Sequence, residues 1–227
     1  MNNRGMYFTS LGAVLGKDLA AEWRSRELIS GMLVFAILIL FIFNFALELD
    51  PHTSAGLSSG ILWVTLIFSG TTGLNRSMIS EKDRGSLDGL LLAPVDRSAI
   101  FFGKVLANWI FMILTAAVLL PLYGLLFSVN LLNFGLISII VIGTAGYALT
   151  GTLLAALALP SRTHDLLLPV LLFPVIVPLL LACVKASSGF LQGYSCAELQ
   201  PWLALLIAYD IIFLVLGWFF FEPLMEE

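Results

Sequence analysis

Charge is scarce in this chain, and where it gathers is informative. Glu81, Lys82, Asp83, Arg84, Asp88, Asp96 and Arg97 crowd into one stretch, Ser80 to Arg97. Ser86 there can cap a short helix through Leu87, Asp88, Leu90 and Leu91, and Pro94 then ends or turns it. Leu87, Leu90 and Leu91 fall on one face, so the expected element is a charge-flanked helix with an apolar ridge, over residues 80–98. Such a ridge suits a groove on a partner protein. The same residues would also serve as a solvated turn whose cations only orient the chain.

A second feature is Asp210, inside the apolar run Ile207-Ala-Tyr-Asp-Ile-Ile. Insertion of an acidic group at a helix centre costs about 2.5–3.5 kcal/mol. Asp210 is therefore read either as an intramembrane functional carboxyl, in proton relay or substrate contact, or as an inward group hydrogen-bonded to a neighbour such as Tyr209. An intramembrane enzyme would need acid, base or metal groups clustered on several helices, and Asp210 has no such company. Cys183 and Cys196 lack metal-ligand spacing, and no metal site is expected. No Gly-x-x-x-x-Gly-Lys-Ser/Thr cradle is present, so ATP hydrolysis by that route is not expected of this chain.

The elements that must hold these groups are apolar helices. The 227 residues are 59% hydrophobic and 11% charged, with mean hydropathy +1.01. A soluble domain carries about 25% charged residues, so this composition cannot cover a water-facing surface. Six stretches approach the roughly 20 residues needed to cross a bilayer: Leu28–Leu47, Leu57–Ile79, Ala99–Phe127, Leu131–Leu159, Leu166–Val184 and Pro201–Phe221. The fold class expected is all-α, a polytopic membrane protein of about six transmembrane helices, forming one permease domain over 1–227. No removable signal peptide is expected.

Orientation follows from cations, which favour the cytoplasmic side. With the N-terminus inside, Arg4, Lys17, Arg24, Arg26, Arg76, Lys82, Arg84, Arg97, Lys104 and Arg162 all lie inside and only Lys185 outside. Both termini are then cytoplasmic. Residues 6–27 place Phe8, Leu11, Leu15, Leu19 and Trp23 at helical spacing, with Lys17 and Arg24 opposite and Glu22 intruding. They are read as an interfacial helix on the inner leaflet; a cytoplasmic start to the first span is the alternative.

Small residues mark close helix contacts, at Ser69-x-x-x-Gly73, Gly151-x-x-x-Ala155, Gly143 and Gly146. Pro121, Pro169, Pro174 and Pro178 are read as packing kinks. Trp23, Trp63, Trp109, Trp202 and Trp218 suit interface anchoring or helix packing. Cys183 and Cys196 both fall near the outer face, where a disulfide could form if they met.

Several segments together resemble the CcmB family, the membrane-spanning subunit of the ABC-type heme exporter of bacterial cytochrome c maturation. They are Gly60-Ile-Leu-Trp-Val, Leu74-Asn-Arg, Asp83-Arg-Gly-Ser-Leu-Asp-Gly-Leu-Leu-Leu-Ala-Pro, Lys104-Val-Leu-Ala-Asn-Trp, Leu119-Leu-Pro-Leu and Phe173-Pro-Val-Ile-Val-Pro-Leu-Leu. The acidic–Arg–Gly segment is shared more loosely by ABC-2-type permeases for other cargo (drug, lipid or polymer), which is the alternative function. Trp63 and Trp109 narrow the resemblance to CcmB.

The resemblance implies an inner-membrane subunit working with a CcmA-like ATPase, CcmC-like and CcmD-like membrane proteins and a CcmE-like heme chaperone, as a homodimer within the complex. It implies no nucleic-acid partner. Heme is implied as cargo, with ATP on the partner and no cofactor held by this chain. Glu81, Asp83, Arg84, Gly85, Leu87, Asp88, Leu90 and Leu91 resemble the ATPase-coupling element, with the helix of residues 6–27 flanking it. His52, in the expected outer loop, would be on the right side to ligate heme; a solvated loop imidazole is the alternative. His164 is read as a loop contact.

Overall fold

The computed structural model describes residues 3–47, 54–83, 96–127, 133–158 and 164–224. They form seven helices: α1 (Asn3–Ser25), α2 (Glu27–Leu47), α3 (Ser54–Asp83), α4 (Arg97–Phe127), α5 (Phe134–Ala158), α6 (His164–Leu191) and α7 (Gln200–Leu224). Six of them, α2 to α7, are long and apolar enough to cross a membrane. Helices are the natural answer to this sequence, because hydrocarbon offers no partner to backbone groups and a helix satisfies them within itself. The all-α polytopic expectation holds.

Burial separates the inner helices from the outer ones. In α3 and α5, 72% of the apolar window is buried, against 22% in α2 and 17% in α7. α5 packs on α3, α4, α6 and α7, and α3 also packs on α2 and α6. The outer faces are apolar: Val34, Leu38 and Ile42 on α2, and Ile211, Ile212 and Trp218 on α7, are all exposed. Contiguous exposed apolar surface of this kind belongs against lipid or another protein.

The small residues act where expected. Gly73 of α3 lies against the Met32 side chain of α2, and the Ser69 hydroxyl donates to the Met32 carbonyl at 2.9 Å. Gly151 of α5 receives Leu74 of α3, and Gly143 receives the Trp63 ring and the Cys183 sulfur. A Cβ at any of these positions would collide with its neighbour, so the glycines set the helix spacing.

α1 meets α2 at a sharp corner. Arg26 adopts φ 55°, and the buried Glu22 side chain reaches over the corner to accept the backbone N–H groups of Leu28 (3.3 Å) and Ile29 (2.8 Å). Glu22 therefore caps α2, satisfying donors that have no partner within the helix. Its intrusion on the apolar stripe of α1 is the trace of that role. The stripe itself divides. Leu15 and Leu19 pack on the core and Val14 fits against Gly103 of α4, while Phe8 and Trp23 are exposed. Drawing Glu22 inward turns the packing face toward Val14 and leaves Phe8 and Trp23 outward.

Two boundaries differ from the expected ones. α3 runs on to Asp83, so Glu81 to Asp83 continue a helix rather than begin a loop. α6 runs through Pro169, Pro174 and Pro178 and past Lys185 to Leu191. Lys185 is exposed, but Ser187 on the next positions is buried and accepts the Trp63 indole N–H at 2.9 Å, which holds the last turns in place. α6 ends where Gly193 takes φ 86°, with Tyr194 N–H bonded to the Gly189 carbonyl and Gly193 N–H to that of Phe190. Before α7 the Glu198 carboxylate accepts both the backbone N–H and the hydroxyl of Ser195. Cys183 is buried beside Gly143, Cys196 is exposed in this connection, and both are free thiols.

Candidate functional site

Two regions gather the chain's polar chemistry. The first is the junction around the charged stretch. Glu81 and Asp83 lie in the last turn of α3. Arg84, Gly85, Leu87, Asp88, Leu90 and Leu91 fall outside the described residues, as does His52. On the far side, Asp96 caps α4: its carboxylate accepts the Ser98 backbone N–H at 2.9 Å and the Ser98 hydroxyl at 2.7 Å. The Ser98 hydroxyl is also 3.4 Å from the Tyr7 hydroxyl of α1.

The first turns of α4 are wedged between two helices. Gly103 faces Val14 and the Leu11 carbonyl of α1. Phe101, fully buried, lies against Gly217 and packs its ring 5.0 Å from that of Phe221, both on α7. Ile100, Phe101, Val14 and Phe221 belong to one small apolar cluster apart from the main core. A displacement of the start of α4 therefore has to move α1 and α7 with it, since close-packed contacts do not deform gradually.

The second region is a polar seam through the bundle. Trp63 of α3 is bonded to Ser187 of α6. The Tyr147 hydroxyl of α5 is 2.9 Å from Thr71 of α3. Thr150 of α5 donates to the Tyr209 hydroxyl of α7 at 3.0 Å, and that hydroxyl donates onward to the Val175 carbonyl of α6 at 3.2 Å. Asn108 of α4 donates to Thr152 of α5 at 3.0 Å. Buried hydroxyls and rings thus tie α5 to α3, α4 and α7, and tie α6 to α3 and α7. Sequence reading missed these pairs. Their signal was the Ser, Thr and Tyr residues scattered through apolar runs, but pairing them needs the tertiary arrangement.

Asp210 sits midway along the 22-residue apolar span Gln200–Phe221, so it is central. The expected hydrogen bond to Tyr209 does not form. Tyr209 is committed to Thr150 and Val175, and adjacent helix positions point in different directions. The Asp210 carboxyl is turned instead onto Gly146 of α5, beside Leu179. Its Oδ1 is buried and has no hydrogen-bond partner among the described residues. Gly143, one turn before Gly146, receives Cys183 and Trp63, so the glycine stretch of α5 holds the thiol, the indole and the carboxyl in sequence. Among the described residues no group of three His, Cys, Asp or Glu side chains could hold a metal ion. The seam thus holds a carboxyl in a tight notch between α7 and α5.

Comparison with known proteins gives a consistent result. The model of the CcmB protein family matches residues 9–225. The chain is 27% identical to "Heme exporter protein B" of Pseudomonas aeruginosa, over 86% of this chain and 88% of that protein. It is 27% identical to the protein of the same name from Bradyrhizobium diazoefficiens, over 92% and 94% of the two chains. For the Rhodobacter capsulatus protein the identity is 29%, over 74% and 78%. The family match runs from within α1 to the end of α7 and takes in both the α3–α4 junction and the intramembrane seam, and so this multi-pass membrane protein belongs to the CcmB family.

Proposed function

We propose that this chain is the membrane subunit of an ABC-type complex that exports or delivers heme for c-type cytochrome maturation. A separate ATPase supplies the energy. The residues 80–98 are the handle that this ATPase grips, with Leu87, Leu90 and Leu91 as the apolar ridge and Glu81, Asp83, Arg84, Asp88 and the turn at Gly85 around it. The chain lies in the bacterial inner membrane with both termini cytoplasmic. Its partners are a CcmA-like ATPase, CcmC-like and CcmD-like membrane proteins and a CcmE-like heme chaperone, and two copies of the chain face each other in the complex. Heme is cargo, and ATP binds the partner.

The observation that carries this reading is the mechanical continuity of α4. The handle is followed directly by a helix whose first turns are locked between α1 and α7 through Gly103, Phe101, Gly217 and Phe221. It is preceded by α3, the helix whose Trp63 and Leu74 fit the glycine notches of α5. Force applied between residues 83 and 97 would thus enter the bundle by two helices at once and reach the Asp210–Gly146 contact through α7. A nucleotide-driven ATPase that favours one of two arrangements of these helices would shift their populations. The relatives' names, heme exporter protein B, support heme as the cargo.

The test is replacement of Leu87, Leu90 and Leu91 by Asp. The variant should insert normally and lose the ATPase on affinity purification, with cytochrome c maturation lost alongside. Recovery of the ATPase at the normal level from that variant would overturn the docking role.

A further inference from the structure

Among the described residues, a groove outside the seam and the handle joins charge to an apolar floor. It lies between α2 and α3, encloses about 400 Å³, and opens to the side of the bundle. At one end the Arg76 guanidinium of α3 meets the Glu27 carboxylate of α2 at 3.3 Å. From there the floor runs along Gly31, Val34, Phe35 and Leu38 of α2.

The occupant's chemistry can be read from length, charge and depth. The apolar floor, Gly31 to Leu38, spans seven helical rises, about 10 Å at 1.5 Å per residue. One leaflet of a bilayer's hydrocarbon core is about 15 Å thick. The apolar floor therefore takes the headgroup-proximal two thirds of one acyl chain. Gly31 opens it, because beside Gly31 the nearest side-chain atom is the Arg76 guanidinium at 3.7 Å. At the polar end, Glu27 takes one of the five donors that a guanidinium offers. Arg24 and Arg26, just before Glu27 in the chain, are also exposed. Trp23, 82% exposed, marks the headgroup level beside them. Basic pockets at the membrane surface between spanning helices select anionic headgroups.

We propose that this groove binds one anionic phospholipid from the leaflet nearest the α3–α4 connection, its phosphate at Arg76 and one acyl chain laid along Gly31, Val34, Phe35 and Leu38. The lipid fastens α2 to the segment of α3 that leads into the handle, and so the bilayer's anionic lipid content bears on how that segment moves.

The experiment uses the full-length chain in mild detergent, exchanged against mixed micelles holding equal phosphatidylglycerol and phosphatidylcholine, with retained lipid counted by native mass spectrometry. The wild type should keep one phosphatidylglycerol per chain in preference to phosphatidylcholine. Arg76→Gln should reduce that preference about fivefold, the effect of one surface cation on an anionic lipid, while still retaining lipid. An exposed ion pair contributes little to stability, so this variant should stay folded. Gly31→Leu should block retention of both lipids, and Leu38→Trp, farther along the floor, should do the same if the chain lies there. Equal retention of the two lipids by the wild type would overturn the proposal, as would unchanged selectivity in Arg76→Gln. So would a disulfide between Val34→Cys copies formed in intact membranes, because it would put a second chain over the groove.

Discussion

The contact between Gly146 and Asp210 makes a quantitative claim. A Cβ on Gly146 would collide with the Asp210 carboxyl and press on the Leu179 methyl. Gly146→Ala therefore adds a methyl to a filled notch, and such over-packing typically costs about 1–3 kcal/mol. Alanine returns about 1 kcal/mol of helix propensity, leaving a net loss of about 0–2 kcal/mol. In an Asp210→Ala background the obstacle is gone, and the same substitution should become neutral or favourable. The propensity contribution is common to both backgrounds and cancels, so the double-mutant cycle should return a coupling of about 1–3 kcal/mol, from the steric conflict alone. Equilibrium unfolding in mixed micelles reads it. Gly16→Ala is the control, since nothing lies within 4 Å of a Cβ at that position of α1. Additivity within about 0.5 kcal/mol would refute the notch. Asp210→Asn separates shape from charge. The amide fills the same space, so cytochrome maturation should stay near normal, and its loss at normal protein abundance would assign Asp210 a protonic role.

Other outcomes follow from single contacts. Trp63→Phe removes the indole donor to Ser187 and withdraws the ring edge from the Gly143 notch, and should cost more than the about 0.6–1.7 kcal/mol of an interhelical hydrogen bond in lipid but less than Trp63→Ala, about 3–5 kcal/mol. Glu198 lies outside the spans, and the Ser195 backbone N–H and hydroxyl hold its carboxyl below the usual glutamate range. A depressed folded pKa stabilises this turn above the unfolded glutamate value and loses that contribution as pH falls through the folded one. The Ser195 amide resonance should accordingly move in the acidic range and cease to do so in Glu198→Gln. Cys196 is exposed and Cys183 buried. A membrane-impermeant maleimide added to spheroplasts should label Cys196 alone, and labelling only after lysis would reverse the proposed orientation.

Hydropathy alone carried most of the fold, because six apolar runs in a chain this poor in charge have no soluble alternative. The glycine notches were also visible, since small residues in a span have few other uses. What eluded the sequence shares one physical cause. The continuation of α6 beyond Lys185 depends on Ser187 meeting Trp63, 124 positions away. The partner of Asp210 depends on Tyr209 being claimed by α5 and α6. Glu22 looked like a flaw in an amphipathic stripe because its target, the start of α2, lies around a corner that local periodicity does not describe. Each is a polar group whose surroundings are set by residues that local periodicity does not reach.

The proposed handle would act on a bundle with little slack. In a soluble bundle, a push on one loop can be absorbed by water-exposed side chains. Here the helices flanking residues 84–95 enter the bundle at Gly103 and, through Trp63 and Leu74, at the notches of α5, contacts with no room for a single added carbon. Small residues at these crossings leave the backbones no slack, and buried hydrogen bonds such as Thr150 to Tyr209 resist being broken where no water replaces them. Movement of α4 is consequently a movement of α7 as well. The Asp210–Gly146 contact, with one carboxyl oxygen unsatisfied, is the place in the seam where a second arrangement would cost least, because no hydrogen bond is lost in leaving it.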